Sequence, residues 1–274
     1  MRSQVFIRVI IFLSLFFIFS IMELFIPDRS EVHTRRQRWP GNLMLFVTGI
    51  FFTRFFSSVL PVAVASFMQQ KGWGLTAISF IPSIWKIVIT ILALDLWVYF
   101  QHVLSHIVPG IRDIHRVHHT DTVIDVTNAL RFHPVEIIFS VFFKSLLIFA
   151  LGLDPLGVFI FEVLLNGSAM FHHSNIKLSP RLDKIIRIVI VTPAYHRVHH
   201  SRKKIESNSN YGFFLTIWDR IFLTYTKTYN EEKLRIGVPG YNQSKIHRID
   251  CLLIDPFYSR YSTDPSSDTT SLSK

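Results

Sequence analysis

Two triplets of the form His-x-x-His-His, His115/His118/His119 and His196/His199/His200, and one pair, His102 and His106, spaced four apart, are the residues in this chain best suited to chemistry. Side chains three and four apart share one face of a helix, with Cβ atoms about 5–6 Å from each other. Imidazoles so placed close on an ion at roughly 2.0–2.1 Å. Eleven of the 13 histidines lie between residues 102 and 200, the other three in that stretch being His133, His172 and His173. Spaced triplets differ from the contiguous tracts of metal buffers and tags. The lone cysteine, Cys251, excludes an internal disulfide, an iron–sulfur cluster held by thiolates and a Cys-rich zinc site. Any metal must therefore rest on histidine or carboxylate. Imidazole suits zinc, copper, iron and nickel, and eight or more neutral imidazoles exceed what one ion accepts, so the pattern predicts two ions. A structural zinc site would close with four ligands, which makes this set read as a redox or hydrolytic centre.

The elements that must hold these residues are apolar. Of 274 residues, 49% are hydrophobic, 26 are Phe and 18% are charged, which predicts a membrane protein. Residues 5–26 form a run long enough to cross a bilayer as helix and lack a signal-peptide cleavage pattern. Further spans are expected at 43–68 and 80–100, and a hairpin at 135–151 and 155–171 that is barely long enough to cross, or re-entrant. The loop 28–40 carries Arg29, Arg35, Arg36 and Arg38, whereas 69–79 carries Lys71 alone. The positive-inside rule then places the N-terminus outside and residues 101–133 and 172–274 in the cytoplasm. The net charge of +10 reads as that same bias plus attraction to anionic lipid, with no nucleic-acid partner. The expected fold is an all-α integral membrane protein: a helical transmembrane bundle with a cytoplasmic, histidine-rich cap holding a di-metal centre. Its expected divisions are N-terminal spans and loops at 1–79, a catalytic domain at 80–228 and a cytoplasmic tail at 229–274, of which 262–274 is polar and expected to be disordered.

The motifs D-L-W-V-Y-F-Q-H-V-L-S-H (95–106), H-R-V-H-H-T-D (115–121), N-A-L-R-F-H-P-V-E (128–136), F-H-H-S-N-I (171–176), T-P-A-Y-H-R-V-H-H-S (192–201) and N-Y-G-F-F-L-T-I-W-D-R-I-F-L-T (210–224) together resemble the fatty acid hydroxylase/sterol desaturase superfamily of membrane-bound di-iron oxygenases. The family ending usually has Gly before the last Thr, where this chain has Leu223. The resemblance implies two iron ions cycling between Fe2+ and Fe3+, O2 as co-substrate, and hydroxylation or desaturation of a lipid, with no catalytic side chain beyond the metal centre. It implies nine ligands: His102, His106, His115, His118, His119, His173, His196, His199 and His200. His173 rather than His172 is chosen because the family pattern fixes the position before Ser-Asn, and adjacent helical residues point about 100° apart. Electrons must come from a separate cytochrome b5-like or ferredoxin-like donor, because one cysteine cannot hold a cluster.

Residues that orient ligating imidazoles through the second ring nitrogen come next. His133, His172, Asp95, Asn128 and Asp219 are candidates as further ligands or as such supports, with Asp121, Glu136, Asn175 and Asn210 behind them. Asp95 stands out as a carboxylate in an apolar helix, seven residues before His102. Glu162 and Lys144, inside the hairpin, receive no catalytic role. Two other functions compete: a membrane di-zinc hydrolase, which would show carboxylates in register with the histidines, and a metal transporter, which would place its ligands at mid-membrane.

Overall fold

The computed structural model describes residues 2–29, 35–56, 61–227, 234–241 and 247–258. Among these, regular structure is helical, and extended pairing is limited to isolated bridges such as Pro27 with Ile176. Four helices are long and apolar enough to cross a membrane: α1 (Arg2–Phe25), α4 (Ser83–Ile107), α6 (Pro134–Leu151) and α7 (Pro155–His173). Their outward faces expose Phe6, Leu13, Phe17, Phe142 and Phe149, a surface suited to lipid rather than water. Buried Leu94, Val98, Ile148, Val158 and Phe161 form the core between the last three of these helices.

Proline and short polar caps set the helix starts. Pro134 and Pro155 occupy first positions, where a missing N–H costs nothing, and the Asp154 carboxylate accepts from Gly157 N–H at 2.8 Å. Gly152 ends α6 at φ 57°, and a Cβ there would collide with the Trp73 carbonyl, so both backbone conformation and space require glycine.

The expected span 43–68 falls on α2 (Arg35–Phe56) and α3 (Pro61–Gln70), with 57–60 outside the described residues. Arg35 and Arg38 draw the start of α2 into ion pairs. The two helices still traverse the bundle together: Arg38 meets Asp121 at one end, while Thr76 N–H, past α3, donates to the Gly152 carbonyl at the other. The expected span 80–100 runs on to Ile107, which brings His102 and His106 inside α4. Both helices of the hairpin, at 18 and 19 residues, reach spanning length.

Shorter helices build the cap: α5 (Pro109–His119), α8 (Pro180–Ile186), α9 (Pro193–His199), α10 (Lys204–Ser207), α11 (Ile217–Ile221) and α12 (Ile249–Tyr258). Helix α1 packs against α7, α2 against α6, and α12 on α5. The stretch 262–274, expected to be disordered, lies outside the described residues. Leu223, the departure from the family's Gly, adopts φ 58° and is 90% exposed, a left-handed conformation that glycine takes without strain.

Candidate metal centre

The C-terminal turns of α4 and α7 and the helices α5 and α9 converge so that two histidine groups form inside the cap. His102, His106, His115, His119 and His199 make one, and His118, His173, His196 and His200 the other. Within each group one nitrogen per ring lies within 4.8 Å of the rest, close to the ~4 Å between opposite ligands of an ion bound at about 2.0–2.1 Å. All nine are buried.

Hydrogen bonding to the other ring nitrogen settles what faces inward. Nδ1 of His102, His173 and His199 each donates at 2.8 Å, to the carbonyls of Tyr211, Ala169 and Ser209. His118 Nδ1 donates to the Arg131 carbonyl at 3.3 Å, and His115 Nδ1 to the Glu136 carboxylate at 2.6 Å. In these rings Nε2 is then the bare lone pair. Nε2 of His102, His106 and His199 is buried with no hydrogen-bond partner. Nε2 of His118 and His173 face each other at 3.0 Å, although both rings have spent their N–H on a carbonyl. Two lone pairs at that distance repel unless a cation lies between them. A proton is a poor candidate: burial, then the neighbouring imidazoles, hold His118, His119, His196, His199 and His200 well below the usual histidine range. Neutral, inward-facing, unpartnered nitrogens fit a divalent metal.

Outer contacts fix these rings. Asp219 accepts from the N–H groups of Tyr211 and Gly212, from Tyr195 Oη at 2.8 Å and from Thr224 Oγ1, and so holds the strand of backbone whose carbonyl receives His102. Burial raises this carboxyl against those hydrogen bonds. Asp95 accepts from Trp218 Nε1 at 2.7 Å and Leu215 N–H, tying α4 to the same segment rather than touching a histidine. Asn128 closes a capping box with Asp125 and accepts from Arg38 at 2.8 Å. His133 stands apart from both groups: Nδ1 accepts from Val135 N–H and Nε2 donates to the Leu253 carbonyl, a helix cap in place of a metal contact. His172 is fully buried with its ring 4.2 Å from that of His196, and belongs to neither group.

Sequence reasoning missed Arg38. Its guanidinium is 1% exposed and reaches Asp121 through two nitrogens, Asp125 at 2.6 Å and the Val123 carbonyl. Burial alone would raise Asp121, but Arg38 and Arg131 outweigh it and hold this carboxyl well below the usual range. Arg131 in turn bonds the Val117 carbonyl, Asn42 and Thr120. Glu23 of α1 accepts from the N–H groups of Val126 and Asn175, tying both histidine loops to the first helix. Nothing local marks Arg38, because Asp121 and Asp125 lie 83 and 87 positions away.

A family model for fatty acid hydroxylase matches residues 87–224, half of the chain, and takes in every histidine of both groups. The chain belongs to the fatty acid hydroxylase family. Within that family it is 28% identical over 161 residues to an ornithine lipid hydroxylase from Rhizobium tropici, covering 58% of this chain and 47% of the relative. It is 31% identical over 156 residues to an alkylglycerol monooxygenase from Xenopus tropicalis, covering 56% and 33%. It is 26% identical over 206 residues to a very-long-chain aldehyde decarbonylase from Oryza sativa subsp. indica, covering 72% and 78%. The chain thus spans less than half the length of the first two relatives. No solved structure matches it. Both histidine groups of this fatty acid hydroxylase family member hold no carboxylate among the described residues and sit at the helix ends, so neither the di-zinc hydrolase nor the transporter finds support.

Two cavities meet the first group. One, of about 210 Å³, is reached between the spans and touches His102 and His115. The other, of about 510 Å³, opens on the cap and is lined by His106, His119, Arg112 and Lys204.

Proposed function

We propose that this protein is a membrane-bound di-iron oxygenase that hydroxylates or desaturates a lipid with O2 and electrons from a separate cytochrome b5-like or ferredoxin-like donor. The observation that carries the reading is the pair of buried histidine groups with bare Nε2 atoms, the first of them reached from between the spans by a cavity. The nine histidines would hold two iron ions, which supply the oxidising power that carboxylates and imidazoles lack. The chain's own part is positional. Carbonyls of Tyr211, Ala169 and Ser209 and the Glu136 carboxylate fix each ring's tautomer, and the apolar walls exclude bulk water. Arg112 and Lys204 at the cap-side cavity give it the sign that steers an acidic donor. The cap faces the cytoplasm in this reading, which the basic loop 28–40 supports.

Comparative lipidomics of cells with and without the gene tests the function. The expected result is a lipid gaining one oxygen or losing two hydrogens only when the gene is present. Identical lipid profiles, with the protein expressed and iron-loaded, would overturn it.

A further inference from the structure

The cavity between the spans has one polar wall, where Gln101 and Ser105 of α4 face Glu136, Ser140 and Lys144 of α6. It shares Phe12, Phe46, Ile137 and Asn166 with an outer groove of about 510 Å³ lined by apolar side chains such as Val9, Leu13 and Ile50 and also by Arg8, Thr53 and Arg54. Amides and ammonium groups buried without partners are costly, so the polar wall beside the histidines calls for a polar ligand group.

Lys144 gives that wall its charge. Its side chain is 9% exposed within α6, and its ammonium lies 3.8 Å from Glu162 Oε1, beyond hydrogen-bond reach. Glu162 is already engaged by a close ion pair with Arg8. Two cations therefore share one carboxylate inside the span, which leaves a net positive charge in a place where charge is costly unless paired. Trp97 Nε1 donates to the Phe143 carbonyl at 2.7 Å, so Lys144 stands about five residues, or ~8 Å along α4, below His102. Side chains lean toward the N-terminus of their own helix, and α6 begins at the cap, so Lys144 leans toward the histidines. Gln101, 7% exposed, lines the same wall, and its Oε1 has no partner among the described residues.

Building on the lipid-oxygenase reading, we propose that the cavity takes an amphiphile head first. An anionic group, carboxylate or phosphate, pairs with Lys144, an O–H or N–H of the head donates to Gln101, and the tail lies along the outer groove past Phe12 and Phe46. Oxidation then falls on the head or within a few bonds of it. In hydroxylation a C–H bond becomes C–OH; one atom of O2 enters the product and the other leaves as water, with two protons and two electrons from the donor.

Thermal unfolding of the purified, metal-loaded protein in detergent tests the binding without turnover. The probes are palmitic acid for the carboxylate, lysophosphatidic acid for the phosphate, and an uncharged alkylglycerol. At least one acidic probe is expected to raise the Tm of the wild type, and which one does identifies the anion. Lys144→Met should weaken that probe at least tenfold, and Lys144→Arg should keep most of its affinity. Equal affinity in wild type and Lys144→Met, or tighter binding of the alkylglycerol than of either acid, would overturn the proposal. Gln101→Leu, expected to weaken the same probe several-fold, replaces Lys144→Met if that variant does not fold. Fragmentation of the oxidised lipid gives a second arm: oxygen on the head-bearing fragment supports the proposal, and oxygen in the distal half of the tail contradicts it. If no lipid is oxidised at all, the oxygenase reading fails while the binding arm still decides the head-first geometry.

Discussion

The contact between Glu136 and His115 offers the sharpest perturbation of the metal centre. Both residues are buried, at 7% and 4% exposure, and the Oε1 to Nδ1 distance is 2.6 Å. Glu136→Gln keeps an acceptor of the same shape and removes the charge. A hydrogen bond to a charged group contributes ~1.5–3 kcal/mol and a neutral one ~0.5–1.5, so the difference is about 1–2 kcal/mol. At ~1.4 kcal/mol per decade this is roughly 5–30-fold in affinity, near the low end of what outer partners of metal-bound histidine contribute. Only the first group contains His115. Chelator titration followed by metal analysis should therefore show one ion lost about tenfold more readily in Glu136→Gln and the second ion unchanged. Loss of both ions in parallel, or of neither, would refute the reasoning, because the carboxylate would then act on the whole fold or not at all.

Arg38→Met leaves Asp121 and Asp125 buried without their cation and should cost ~3–5 kcal/mol in chemical denaturation; a loss under 1 kcal/mol would show the clamp to be dispensable. His173→Ala should abolish activity and lower metal content, whereas His172→Ala, outside both groups, should retain its metal; the reverse pattern would exchange their roles. For the metal-free protein, unfolded histidines protonate near pH 6.5 while the buried rings of the cap stay neutral well below it, so stability is full above that value and falls as pH drops beneath it. Each such ring steepens the fall by up to ~1.4 kcal/mol per pH unit, and a flat profile from pH 7 to 5 would contradict their neutrality. Leu223→Gly, at φ 58° and exposed, should stabilise by about 1 kcal/mol, read as a rise in Tm; a fall would mean that the position is not strained.

What could be read from the sequence is what depends on short spacing. Four of the spans are continuous apolar runs, and the nine histidines that meet in two groups stand in motifs of five residues or beside Ser-Asn. The angle between neighbours on a helix allows only one of His172 and His173 to face the metals, and the family pattern before Ser-Asn picks His173. Arg38 counted as a loop charge for orientation, yet it is a buried clamp whose meaning depends on a loop more than eighty residues away. Asp95 stands out in the sequence as a carboxylate in an apolar helix, but its partner, Trp218, lies 123 positions distant. Lys144 and Glu162 were set aside because charge in a span looks alike whether it pairs or faces a cavity; the third member, Arg8, and the cavity wall appear only in three dimensions.

The central claim is two metal ions in two histidine groups. Metal analysis of the gently purified protein, beside the same preparation of a His118→Ala, His200→Ala double variant, tests it most directly. The account predicts two ions per chain in the wild type, iron in the active form, and one ion in the variant, with the first group still loaded. Metal near zero in a wild-type preparation that retains activity would contradict it.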